Sequence, residues 1–521
     1  MAPGSSRLRA WVPSGRRIGT LWSTGTVDPV LVWLVAFGIY VLRGYSAPLS
    51  RDLGTFVYGG EQFAHGIPPY VGVFNSVGPL ADMMPGVAIW LGHFASLDPV
   101  LAARAFFTVL SAGCCALIYV LARDVWRSRV AGVVTAAVFV SFERFLTLAT
   151  GGPREKTTMV LLLLAALIMV GRRRWLAAGA FTALATLTWQ PVLAVALLTA
   201  AVAITLGGPG RARAAARFVV GGLIPSVAAV VYFAAYGALP VALNGFITVN
   251  VLYTSQPSPF TSPIDTWRFL WQGYHVSLIV FLVGLLGLVV LAITRLSRVV
   301  GRDTEPASTT DLAVVSLGAG AVAAMAWSLV AINGAPDLFV ILPFGALGVT
   351  GLVLALSRHL SRMRVTVLVA AVASLATVLA VVESVGTIGP VTLPLQRADI
   401  TAVMSAAPPG STVLAMNASE VMAISRRTNP THFLIYDPAI ESYIRHSWRG
   451  GMAHYKAHVA GIRPTFVVTS VTGSRRWPDK ILARYYWKVG YGPTWVWYVS
   501  RTVGHQAFLR LRAANRHVMF G

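Results

Sequence analysis

Apolar residues in this chain run in unbroken blocks instead of recurring on one helical face. The blocks fall at 29–42, 100–122, 129–148, 157–171, 175–189, 191–206, 217–236, 275–294, 311–332, 336–356 and 365–383. Many approach the roughly 20 residues a helix needs to cross a bilayer. The pattern predicts an all-α polytopic domain over 29–385 with about eleven transmembrane helices. The shorter blocks are expected to tilt or to line a cavity instead of facing lipid. Past residue 385 the pattern changes. Short runs (Thr412–Ala415, Thr465–Thr469, Thr494–Val499) alternate with helix-like stretches (Ile400–Ala406, Ser419–Ser425, Ile481–Val489), with turns at Pro408-Pro409-Gly410 and Asn429-Pro430. This predicts a small α/β domain over about 395–503, followed by a basic tail at 504–521.

One segment resists the pattern. Gly78–Ala95 is apolar overall but holds Pro79, Asp82, Pro85 and His93. An Asp near a helix centre costs about 2.5–3.5 kcal/mol on the insertion scale, whereas each Leu or Ile returns only about 0.3–0.6. Charge decides between the two placements. If Gly78–Ala95 spans, Arg123/Arg127/Arg129 and Arg172/Arg173/Arg174 fall outside. If it lies in the interface, those clusters join Arg211/Arg213/Arg217, Arg295/Arg298/Arg302 and Arg358/Arg362/Arg364 on one side, as the positive-inside bias requires. The second arrangement is adopted. It puts the basic tail 1–28 in the cytoplasm, the C-terminus outside the cytoplasmic membrane, and three outer loops at 43–99, 150–156 and 237–274. Asp82 is then expected to face water at the interface.

Composition agrees. The 521 residues are 56% hydrophobic and only 12% charged, with a mean hydropathy of +0.67, too little charge to coat a soluble domain of this length. The net charge of +23 would suggest nucleic acid in a soluble protein. Here it resides in short loops between apolar blocks, so no nucleic-acid partner is expected. The two cysteines, Cys114 and Cys115, are adjacent in one apolar block, which excludes a disulfide framework. Arg7, Arg9, Arg16 and Arg17 are not followed by a short apolar stretch with a cleavage site, so a signal peptide is not expected.

The outer loops carry few charges. The first holds Arg51-Asp52-Leu53-Gly54, Glu61, His65 and Tyr70, and the second holds Arg154-Glu155-Lys156. Acids from two loops at one membrane face, with Arg51, Arg154 and Lys156 beside them, would suit an anion such as a lipid phosphate. Each has a plainer reading: Asp52 as a helix cap, Glu155 as a carboxylate favoured at a helix start, Arg154 and Lys156 as headgroup anchors. His65 and His93 read as interfacial. In the third loop Tyr253, Gln256, Trp267, Arg268 and Trp271 could contact sugar or lipid, although aromatics are ordinary at a membrane interface.

These residues resemble the GT-C glycosyltransferases, and within them the bacterial relatives of the dolichyl-phosphate-mannose protein mannosyltransferases (family 39-like). The likeness covers roughly 28–385. It rests on Arg51-Asp52-x-Gly54, Tyr58-Gly59-Gly60, Gly66-x-x-Pro-Tyr70, Gly78-Pro79-Leu80, Arg154-Glu155, Arg172-Arg173-Arg174-Trp175, Thr188-Trp189-Gln190-Pro191 and Leu342-Pro343. It implies an enzyme moving a sugar, by inversion, from a polyprenyl-phosphate carrier to a glycan, lipid or protein acceptor outside the membrane in envelope assembly. Mannose or arabinose is the guess. The first-loop acid, Asp52, would be the base, and Glu155 would assist with acceptor or metal. Arg51, Arg154, Lys156, Tyr58, Glu61, His65, Tyr70 and Arg268 would bind substrate. Many members carry two neighbouring acids in the first loop. Here Leu53-Gly54 follows Asp52, which leaves open whether Asp52 and Glu155 hold a divalent metal; no other cofactor is implied. The alternative is a transporter or lipid flippase. It fits less well, because transporters place ionisable groups at the midplane and here the acids gather at one face.

Overall fold

The computed structural model describes residues 27–254, 260, 262–300, 308–386, 388–471 and 478–520. Most of the basic N-terminal tail, Gln256 and Arg302 lie outside them.

The first helix ties the two faces of the membrane part together. α1 (Val27–Val41) starts at the basic end, where Asp28 pairs with Arg129 at 3.2 Å and accepts from the Tyr119 hydroxyl. Beyond its other end Arg43 donates to the Glu383 carbonyl at 2.9 Å. α2 (Arg51–Ala64) and α3 (Leu80–Phe94) follow on this second face. The Leu80 N–H donates to the Leu187 carbonyl, and Asp98, just past α3, pairs with Arg397 of the C-terminal domain at 2.7 Å. Both ends of α3 are thus held on the domain face, so Gly78–Ala95 does not cross. The expectation of a water-facing Asp82 is not met. Asp82 is 2% exposed, wedged against Gly59 of α2, with Asn75 donating to it at 3.1 Å. The side of α3 left exposed is apolar, carrying Val87, Trp90, Leu91 and Phe94.

The membrane part continues through α4 (Pro99–Trp126), α5 (Arg129–Val140), α6 (Glu143–Ala149), α7 (Glu155–Gly171), α8 (Trp175–Thr186), α9 (Val192–Leu206) and α10 (Arg211–Ala235). A short α11 (Leu239–Leu243) runs into a π-helical stretch, Asn244–Tyr253, then α12 (Pro263–Tyr274), α13 (Val276–Val300) and α14 (Thr309–Val330). A 3₁₀ turn, Ala335–Val340, leads into α15 (Leu342–Ser357), and α16 (Arg362–Ser384) closes the domain. Among the described residues five helices are long and apolar enough to cross a bilayer: α4, α10, α13, α14 and most of α16. The chain is therefore a multi-pass membrane protein. The block expected at 129–148 is broken: α5 and α6 meet at 74°. The outer loop expected at 237–274 is largely helical.

Small residues set the helix packing. A Cβ on Gly348 of α15 would lie 1.7 Å from the Gly284 carbonyl of α13, and one on Gly179 of α8 would lie 1.9 Å from the Phe218 carbonyl of α10. Close backbone approach of this kind drives association where lipid competes equally well for apolar side chains. At the basic end Arg172 pairs with Asp124 at 2.7 Å, Arg295 with Asp311 at 3.2 Å, and Arg127 donates to Thr309.

The C-terminal domain holds α17 (Leu393–Ser405), β1 (Val413–Met416), α18 (Ser419–Ser425), α19 (Pro438–Ser447), α20 (Gly451–Ile462), β2 (Phe466–Ser470), α21 (Pro478–Tyr485), β3 (Tyr486–Tyr491), β4 (Trp495–Ser500) and α22 (His505–Phe520). Its sheet has the order β1-β2-β4-β3, with β1 and β2 parallel and the other pairs antiparallel. The helix expected over Ile481–Val489 ends at Tyr485. From Tyr486 the chain pairs antiparallel with β4, burying Tyr486 and Val489, a place that suits aromatic and β-branched side chains. The tail packs as α22: Asn515 donates to Asp399, which also accepts from Trp495 and Trp497. This domain sits directly on α2. A Cβ on Gly54 would lie 2.5 Å from the Glu420 amide of α18.

Candidate active site

The first outer loop is clipped in place by polar contacts. Ser76 offers its carbonyl to both Asn250 (2.6 Å) and Gln190 (3.1 Å), and Gly78 donates to the Thr188 carbonyl. Tyr70, in a left-handed conformation (φ 68°), donates to the Val77 carbonyl at 2.7 Å. Between this loop, the starts of α2, α7 and α9, the turn before α15 and the start of α19 lies a cavity of about 890 Å³. Arg51, Asp52, Arg154, Glu155 and Lys156 all line it, so the two charged outer motifs converge. Four helix starts on one wall favour an anion there, through their N–H groups and dipoles.

Asp52 is in the first turn of α2, but the cap is Ser50, whose hydroxyl accepts from the Leu53 amide. The Asp52 carboxylate is therefore left for the cavity and for Arg51, 3.1 Å away. Burial pushes its pKa up, but the opposing charges of Arg51, Arg154 and Lys156 outweigh that and hold it below the usual carboxylate range. It is ionised at neutral pH.

Lys156 is engaged differently from the two arginines. Its ammonium contacts Glu155 at 2.5 Å and Asp337 at 3.1 Å and lies over the Trp189 ring at 5.5 Å. Asp337 is itself fixed by the Asn333 and Gly334 amides, at 2.6 and 2.8 Å. The second oxygen of Glu155, Oε2, is buried with no hydrogen-bond partner. Arg51 and Arg154 thus remain as the cations on the wall whose charge is not shared out between buried acids. Asp337, Trp327, Asn250 and Asn333 also line the cavity and were not singled out from sequence. Asp337 had a usable signal, since it is the lone acid beside a long apolar block and such residues are rare unless functional.

The other candidates fall elsewhere. Tyr58 is buried and its hydroxyl accepts from the Asn429 amide at 2.9 Å, joining α2 to the C-terminal domain. Glu61 and His65 are at the far end of α2, off the cavity wall; burial raises the Glu61 carboxyl to about 7 against the pull of Arg426 and His65. Tyr70 shapes the loop behind the cavity. Arg268 is exposed on α12, 3.8 Å from Asp265, and is not on the wall. Tyr253 stacks on His446, and Trp267 on Trp271. Behind Asp52, Glu420 accepts from Thr494 at 2.8 Å, and burial lifts its carboxyl to about 7.

Among the described residues no three His, Cys, Asp or Glu side chains gather as a metal-binding set. Lys156 already occupies one oxygen of Glu155 and one of Asp337. This donor set does not fit a divalent cation. What the wall offers is an ionised carboxylate at the mouth of a helix, two arginines beside it, and enough room for a sugar with its phosphate.

No protein-family model matches the chain, and no curated protein matches it. Solved structures do. ArnT from Cupriavidus metallidurans, in its apo state and bound to undecaprenyl phosphate, aligns over 91% of this chain and 97% of its own, at 16% identity and a TM-score of 0.50 in both cases. The chain therefore shares the fold of ArnT.

Proposed function

We propose that the protein is a membrane glycosyltransferase that takes a sugar from a polyprenyl-phosphate carrier and passes it to a hydroxyl of an acceptor outside the cytoplasmic membrane. The observation that carries this reading is the convergence of Asp52, Arg51 and Arg154 on one cavity between the membrane helices and the C-terminal domain. That one ArnT structure holds undecaprenyl phosphate supports the carrier class. Asp52 accepts the proton of the acceptor hydroxyl as its oxygen attacks the anomeric carbon. The bond from that carbon to the carrier phosphate breaks, and the phosphate leaves with the electron pair. Arg51, Arg154 and the helix N-termini meet its charge. A single displacement inverts the anomeric centre. The Glu155–Lys156–Asp337 cluster fixes the start of α7 and with it Arg154. Mannose or arabinose as the sugar, and a glycan, lipid or protein as acceptor, complete the proposal.

The test is donor consumption. Purified protein is incubated with radiolabelled polyprenyl-phosphate sugars and a membrane extract, beside Asp52→Asn. Consumption of one donor by wild type and not by the variant is expected. Equal turnover by both removes Asp52 from the mechanism. No turnover with any donor by protein of confirmed folding overturns the enzyme reading in favour of lipid transport.

A further inference from the structure

A second, separate cavity of about 510 Å³ opens between the membrane part and the C-terminal domain. Its walls come from the start of α4 (Asp98), one face of α17 (Arg397, Thr401) and the end of α18 (Ser425, Arg426, Arg427). Three arginines line it. Arg397 gives one N–H to Asp98, at 2.7 Å, and Arg427 gives one to the Ser411 carbonyl, at 2.6 Å. A guanidinium has five N–H donors, so most of this capacity remains for a ligand. The Ser425 hydroxyl on the same wall is buried with no partner. Against three cations stand Asp98 and Glu61, whose carboxyl feels both Arg426 and Asp98.

Depth in the membrane narrows the ligand. α4 has 28 residues, about 42 Å at 1.5 Å per residue, against a hydrocarbon core of about 30 Å. Its first residue, Pro99, forms part of the cavity wall and so lies at the level of the lipid headgroups. The preceding helix, α3, exposes Trp90 and Phe94 alongside, the latter at 77%; aromatic side chains of this kind settle at the interface. A fork of arginine donors at headgroup depth suits phosphate.

We infer that this second cavity binds the phosphate-bearing headgroup of an anionic membrane lipid, held by Arg397, Arg426 and Arg427. Such a lipid would bridge the C-terminal domain to the membrane at α4. The inference does not rest on glycosyl transfer, and its readout is binding alone. Delipidated full-length protein is titrated with phosphatidylglycerol, with phosphatidylcholine and with inorganic phosphate, and bound adducts are counted by native mass spectrometry. Wild type is expected to retain phosphatidylglycerol at least tenfold more tightly than phosphatidylcholine. The double variant Arg397→Gln/Arg426→Gln should lose that preference. Arg426→Gln alone, altering an exposed side chain, should weaken it with little change in melting temperature. Undiminished preference in both variants overturns the inference. So does tight binding of inorganic phosphate with no lipid preference, which would make the ligand a soluble anion.

Discussion

At the residue scale the cavity charges are not equivalent, and substitution should separate them. Asp52→Asn keeps the shape and removes the base. The turnover number should fall about 10²–10⁴-fold, with donor affinity changed only a few fold, as measured by single-turnover kinetics beside equilibrium binding. Lys156 sits between two buried acids, so Lys156→Met leaves Glu155 and Asp337 facing each other unneutralised. Breaking a buried pair in this way costs about 3–5 kcal/mol, a large drop in melting temperature. Adding Asp337→Asn to that variant should recover part of it, a non-additivity that a merely bulky lysine would not produce. Glu420 gives a pH signature. Its folded carboxyl is raised from 4.5 to about 7 by burial, so between those values the folded protein holds a proton that the unfolded chain has released. Stability therefore falls as pH rises through that window and stays lowered above it, by at most about 3 kcal/mol. Glu420→Gln should melt higher than wild type at pH 8 and nearly level with it at pH 5.

At the element scale, what holds the site is the contact of α2 with α18, and a single methyl group tests it. Ala at Gly54 would put its Cβ 2.5 Å from the Glu420 amide, forcing the two helices apart two residues from Asp52. The expected loss is about 1–3 kcal/mol, together with a drop in transfer rate. Gly38 of α1 has nothing within 4 Å of its would-be Cβ, and Gly38→Ala should leave both melting temperature and rate unchanged. This contact also marks where sequence reading stopped. Ser419–Ser425 was legible as a helix and Arg51-Asp52 as a charged start, but their meeting depends on a separation of over 360 residues that no local pattern encodes. Asp337 is visible in the sequence as a lone acid beside an apolar block, but its pairing with Lys156 of α7 is not. Breaks such as Ser141–Phe142 between α5 and α6 escaped because apolar composition continues through them. The helix–strand switch at Tyr486 escaped because a run as short as Ile481–Val489 gives neither period clearly.

For the whole molecule, the legible quantity was the asymmetry of charge. At the end of the helices opposite the C-terminal domain Asp124 pairs with Arg123 and Arg172, Asp28 pairs with Arg129, and Arg127 donates to Thr309. α3 returns to the face it left, so it adds no crossing that would reverse the helices after it. The positive-inside bias then predicts the basic end in the cytoplasm and the cavity, with the α/β domain above it, outside. That assignment decides which substrates can reach Asp52, and thiol labelling tests it without any knowledge of them. The native cysteines, Cys114 and Cys115, are both buried and give little background. A cysteine replacing Arg127 or Arg173, both exposed at the basic end, should resist a membrane-impermeant maleimide in intact cells and react once the membrane is opened. A cysteine replacing Ala457, exposed on α20 of the C-terminal domain, should react in intact cells. The reverse pattern would put the cavity in the cytoplasm, where a soluble nucleotide sugar competes as donor, and the polyprenyl-phosphate reading would lose its physical reason.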